Sequence, residues 1–195
     1  MDEITEGTLL CRFADGWKAT KYDKTPWHRR RLKSQLKAVD VLATDGSRHW
    51  WIEIKDCEGS EEDNRPRMSP IVDDSVVETR QWIEHQGWKG KVSAHRKKPW
   101  IVDEVVEKFR HTLAALALAE REGEPSLQDQ FLVCEGPPLS VVLLLTWDGS
   151  DYRRLAQRLQ DKLNGKLAPY NVTGYVFRSV PSSLGLQMTV ERARE

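Results

Sequence analysis

Asp40, Glu53 and Lys55 are the residues of this chain whose types and spacing suit catalysis. They stand where apolar residues are expected. Asp40 interrupts the run Ala38-Val39-Asp40-Val41-Leu42-Ala43, while Glu53 and Lys55 interrupt His49-Trp50-Trp51-Ile52-Glu53-Ile54-Lys55. Between the runs lies Thr44-Asp45-Gly46-Ser47, and Asp-Gly is a strong short-range hairpin signal. A turn centred between Gly46 and Ser47 opposes residues whose numbers sum to 93, which sets Asp40 against Glu53. Opposed residues share a face, with Cβ atoms about 4.5–5.5 Å apart. Strand alternation adds Lys55 to that face and turns Trp50, Ile52 and Ile54 to the other.

Two carboxylates opposed on a sheet repel unless something neutralises them. A divalent cation does so, and oxygen-only ligands select a hard ion, Mg²⁺ or Mn²⁺, over zinc. Such an ion acidifies water and takes up charge on a phosphoryl oxygen. Lys55 is then placed to hold that water or to stabilise a transition state electrostatically.

The elements that must position these residues follow from the pattern on either side. Strands are expected over 8–13 and 17–22, with Pro26 breaking regular structure before a basic stretch over 27–36 that reads as a helix turn or an ordered loop. After the hairpin, 59–70 reads as a loop. A helix over 71–86 carries Val72, Val76, Trp82 and Ile83 on one side. A basic loop over 88–99 leads to the longest helix, 103–122, which Gly123 and Pro125 end. The apolar run over 139–147 reads as a buried strand. A helix over 151–163, ended by Gly165, a strand over 171–178 and a short strand over 186–190 complete an α/β sandwich around a mixed sheet.

Composition narrows the classes. At 195 residues the chain is long enough for one hydrophobic core. Val141-Val142-Leu143-Leu144-Leu145 is the longest aliphatic run, far short of the ~20 residues that span a bilayer. Met1-Asp2-Glu3-Ile4 is acidic, which predicts no secretory leader and a cytoplasmic protein. Cys11, Cys57 and Cys134 have neither disulfide-framework nor zinc spacing and are expected as reduced thiols. The five histidines lack HExxH spacing, and no Gly-rich phosphate loop is present.

The 30 Lys+Arg balance the 30 Asp+Glu, but the charges are segregated. Residues 18–37 hold eight bases and one acid, Asp23; Arg29, Arg30, Arg31, Lys33 and Lys37 lie just before the first motif strand, where they suit phosphate binding. The loop over 89–98 holds five bases between Trp88 and Trp100, a pattern that suits a plain surface loop, stacking on bases or grip on a partner.

The hairpin resembles the PD-(D/E)xK nuclease superfamily. Val39-Asp40, a twelve-residue gap, and Glu53-Ile54-Lys55 match its motif, with Val39 in place of the usual proline. The resemblance implies a restriction-endonuclease-like fold, a mixed four-stranded sheet flanked by helices, here with an inserted loop-helix segment at 59–99. The element order from 38 to 178 agrees with it. It implies Asp40, Glu53 and Lys55 as catalytic residues, and Asp40, Glu53 and the Ile54 carbonyl as ligands of Mg²⁺ or Mn²⁺. An acid from an N-terminal helix, common in the superfamily, has no helix to carry it here; Glu6 and Asp23 are the acids available, Asp23 the better placed. The helical Gln-x-x-x-Tyr of one branch is absent.

The expected function is a single-domain, metal-dependent nuclease acting on DNA ahead of RNA, in a setting of prokaryotic defence or repair that the resemblance alone implies. A second reading keeps the fold as a catalytically inactive subunit that binds a protein partner through the insertion and its tryptophans. A homodimer is compatible with either, and no membrane is expected.

Overall fold

The computed structural model describes residues 1–131 and 138–193. Strands β3 (Lys18–Lys21), β4 (Val41–Thr44), β5 (His49–Asp56), β6 (Leu139–Thr146) and β7 (Thr173–Phe177) form one sheet in that order. β4 is antiparallel to both of its neighbours, whereas β5, β6 and β7 run parallel. The sheet is mixed, as expected, with β3 as a fifth strand at its edge.

The β4–β5 register is the one that the turn predicts. Val41 opposes Ile52, and Thr44 opposes His49. Asp45 builds the turn, its Oδ1 accepting from the Ser47 and Arg48 amides at 2.8 and 3.0 Å. Gly46 takes the positive φ of 84° that side chains resist.

Both faces of this sheet are buried, which explains the unbroken apolar run through Trp50-Trp51-Ile52. Leu42, Trp51, Leu143 and Leu145 face a helical layer made by α4 (Ile101–Glu122) and α5 (Tyr152–Leu167). Val41, Trp50, Ile52 and Val142 face a second, antiparallel sheet of β1 (Glu3–Glu6), β2 (Leu9–Phe13) and β8 (Met188–Arg192). The expectation of a sheet flanked by helices therefore holds on one face only. In β2, Leu9, Cys11 and Phe13 are buried and alternate with half-buried residues, so one side of a strand covers the core where a helix was expected. Asp56 at the end of β5 ties the layers together: it accepts from Thr8 Oγ1 at 2.6 Å and from Thr146 Oγ1 at 2.5 Å.

Several element ends differ from expectation for identifiable reasons. Pro26 opens a helix, α1 (Pro26–Arg31), because proline suits the first helical position and Thr25 accepts from the His28 amide. The region 59–70 is ordered as α2 (Glu61–Asn64) and a 3₁₀ turn (Arg65–Met68) that buries Arg67 and Met68. The helix of the insertion, α3 (Asp74–His85), buries only Ile83, and Trp82 points to solvent. Gly165 does not end α5, because Leu163 and Leu167 are both buried at helical spacing. Their burial outweighs the roughly 1 kcal/mol glycine penalty. Gly174 in β7 lets α5 approach: a Cβ there would lie 2.7 Å from Leu163 Cγ.

Among the described residues no helix is long and apolar enough to cross a membrane. Cys11 and Cys57 are buried free thiols, whereas Cys134 lies outside the described residues.

Candidate active site

Asp40 lies just before β4, where the backbone continues the β3–β4 ladder but slips by one residue against β5. Its amide donates to the Ile52 carbonyl at 3.1 Å, and its carbonyl accepts from the Tyr22 amide at 2.9 Å. Its Oδ2 accepts from the Ile54 amide at 2.7 Å, which locks the carboxylate against β5. The N–H and C=O of one strand residue leave on the same side, so the Ile54 carbonyl also faces the Asp40 side of β5.

Glu53 and Lys55 share the helix-facing side of β5. Glu53 is 0% exposed, so its carboxylate is not a solvated surface charge. Lys55 Nζ lies 2.7 Å from Glu53 Oε1 and 2.8 Å from Glu104 Oε1. The sequence reading brought Asp40, Glu53 and Lys55 together, and the structure places them so.

It also adds residues that the reading missed. Glu104 and Lys108 stand one turn apart on α4, and Lys108 Nζ lies 2.6 Å from Glu53 Oε1 and 3.5 Å from Asp40 Oδ1. Arg67, from the segment expected to be a loop, pairs with Glu104. The only signal for Glu104 and Lys108 was their four-residue spacing, which places a Glu and a Lys side by side on a helix. Nothing in the sequence aims that pair at the hairpin.

Burial, and then repulsion from Asp40, raises the Glu53 carboxyl to about 7, against the pull of Lys55 and Lys108. Asp40 is raised by burial, partly offset by Lys108 and the Ile54 amide. For Lys55, burial opposes the charge, but Glu53 and Glu104 outweigh it and raise the group above an ordinary lysine. Burial likewise opposes ionisation of Glu104, yet Lys55 and Arg67 hold it below the usual carboxylate range.

A metal or a further hydrogen-bond donor has somewhere to bind. Glu53 Oε2 is buried with no hydrogen-bond partner, a costly state for a carboxylate oxygen. On its other side Asp40 meets Glu6 and Asp23: one carboxylate oxygen from each of the three lies within 4.8 Å of the others. Lys21 pairs with Glu6 at 2.7 Å and Lys24 with Asp23 at 2.9 Å. The N-terminal acids thus reach Asp40 from a strand and a 3₁₀ turn, not from a helix.

Neither a protein-family model, nor a curated protein, nor a solved structure matches this chain. Its functional reading rests on the geometry of this site.

The basic segment before the hairpin is split. Arg31 pairs with Glu122 and Lys37 with Glu107, both on α4. Arg29, Arg30 and Lys33 are exposed, with no ion pair among the described residues. Trp100 is buried at the start of α4 under Lys166, so it offers no stacking face, whereas Trp88 is 44% exposed. The remaining candidates are structural. His28 is buried beside Tyr22 with its Nε2 against the Leu36 carbonyl, and His49 is buried at the opposite end of β5 from Lys55. Burial raises the Cys57 thiol, which disfavours a nucleophilic thiolate.

Proposed function

We propose that this protein is a metal-dependent nuclease of the PD-(D/E)xK kind, hydrolysing phosphodiester bonds of DNA. The observation that carries the reading is the buried pair Asp40 and Glu53 of one hairpin, bridged by Lys108, with Lys55 two residues on and Glu53 Oε2 unpartnered among the described residues. The order hairpin, α4, β6, α5, β7 on a mixed sheet supports it.

The donor set fits a hard divalent ion, since carboxylate and carbonyl oxygens are what Mg²⁺ and Mn²⁺ prefer. Asp40, Glu53 and the Ile54 carbonyl would hold it, and Glu6 and Asp23 add acids beside Asp40. The ion would supply positive charge that stabilises a developing phosphoryl oxyanion and makes water more acidic. Lys55, held as an ammonium by Glu53 and Glu104, serves as a fixed positive charge at the reacting phosphate and not as a general base. Glu104 and Arg67 hold Lys55 in place by their own ion pair. Arg29, Arg30 and Lys33, exposed and without an ion pair among the described residues, offer charge for the nucleic-acid backbone. Defence or repair is the setting that the resemblance implies, with DNA the substrate ahead of RNA.

The test is cleavage of plasmid and linear DNA in Mg²⁺ or Mn²⁺. Cleavage is expected from the wild type and lost by at least about a hundredfold in Asp40→Asn, with an unchanged circular dichroism spectrum. Equal cleavage by both proteins would remove the assignment.

A second reading, an inactive nuclease-fold subunit, is favoured by one observation. Trp82 and Trp88 of the insertion meet edge to face at 5.4 Å yet are 54% and 44% exposed, an aromatic pair suited to a protein partner. Absence of cleavage together with stable capture of a partner lost in Trp82→Ala would favour it.

A further inference from the structure

We infer that Lys108 is a built-in counter-ion of the hairpin carboxylates, and that it limits how tightly the site holds a divalent cation. This rests on the metal-binding reading above. Among the described residues, the acids that Lys108 pairs with are Glu53 at 2.6 Å and Asp40 at 3.5 Å, the two carboxylates assigned to the metal. Lys55 differs: it is shared with Glu104, which Arg67 also neutralises. Lys108 is thus the charge that balances Asp40 and Glu53 when no metal is bound.

Its position is fixed by the helix that carries it. Phe109, the next residue on α4, packs against Trp51 of β5 with ring centroids 5.5 Å apart. Thr112, one turn on, accepts from the Val39 amide at 3.1 Å, next to Asp40. The Lys108 side chain is only 16% exposed, so water and salt screen its charge poorly. Two opposing effects follow from its removal. Glu53 loses one hydrogen-bond donor that orients Oε1, although Lys55 still holds that atom. The site also loses a positive charge 2.6 Å from Glu53 Oε1 and 3.5 Å from Asp40 Oδ1, oxygens of the two assigned ligands. The second effect is larger, because a like charge at that range in a poorly solvated site repels strongly while one of two orienting contacts remains.

Mn²⁺ titration calorimetry on wild type, Lys108→Met, Lys108→Gln and Lys108→Arg tests this. Both neutral variants are expected to bind Mn²⁺ at least about tenfold more tightly than wild type at unchanged stoichiometry, with Lys108→Arg close to wild type. Lys108→Gln keeps a donor for Glu53 and covers the case in which Lys108→Met does not fold. Thermal melting adds a second readout: without metal the neutral variants melt lower than wild type, and saturating Mn²⁺ raises their midpoints by more. Wild-type binding with equal or weaker binding in both neutral variants would overturn the inference alone. No binding to any of the proteins would overturn it together with the metal reading.

Discussion

Lys55→Met is expected to lower metal-dependent cleavage by about 10²–10³-fold while leaving the chain folded. That range is typical for loss of one preorganised donor facing transition-state charge. The fold should survive because neither carboxylate that Lys55 contacts is left alone. Glu53 keeps Lys108 at 2.6 Å, and Glu104 keeps Arg67. Removing the lone partner of a buried charge costs about 3–5 kcal/mol, so with partners retained a smaller loss, about 1–3 kcal/mol, is expected. Cleavage rates and a denaturant melt on the same preparation separate the two effects. Should the rate fall only in proportion to the folded fraction, Lys55 would be a structural residue.

Glu53→Gln has its largest effect on the pH dependence of stability. The Glu53 carboxyl is raised from 4.5 to about 7, by burial and then by Asp40. A carboxyl raised in the folded state binds a proton there that the unfolded chain has already released, so the folded state is favoured at low pH. The metal-free protein therefore loses stability as pH rises from about 4.5 through about 7, and the loss is complete above that. The shift corresponds to about 3 kcal/mol as an order of magnitude. His28 and His49, whose imidazoles burial lowers, act in the opposite direction over part of this range. Their contribution is common to both proteins, so the difference between wild type and Glu53→Gln reports Glu53 together with its coupling to Asp40. Urea unfolding at pH 5, 6, 7 and 8 is expected to show wild type losing stability relative to the variant. Parallel curves would mean that Lys55 and Lys108 compensate the Glu53 charge fully.

The part of the site that was legible in the sequence is the part that local rules govern. An Asp-Gly turn and two-residue alternation set the hairpin register as far as Val41 and Ile52, and Asp40 and Glu53 are the residues next to that pair, with Lys55 on the Glu53 face. The helices α4 and α5 and the strand β6 were legible from periodicity and apolar runs. What stayed hidden depends on contacts distant in the chain. Lys108 lies 55 residues from Glu53, and only the packing of α4 on β5 joins them. Arg67 was hidden by a charged, proline-containing segment that its own burial orders. The segment over 8–13 was legible as a strand, but not the small sheet that covers the far side of the large one. Pro26 and Gly165 misled because each has a second use, opening one helix and being carried inside another by the burial of Leu163 and Leu167.

Mn²⁺ binding to wild type and to an Asp40→Asn/Glu53→Gln variant tests the central claim most directly. A single class of site in the wild type, lost in the folded variant, is the predicted result, because these two carboxylates are assigned as the ligands. Undiminished binding in the variant would contradict the account, and would move the metal to other oxygens such as those of Glu6 and Asp23.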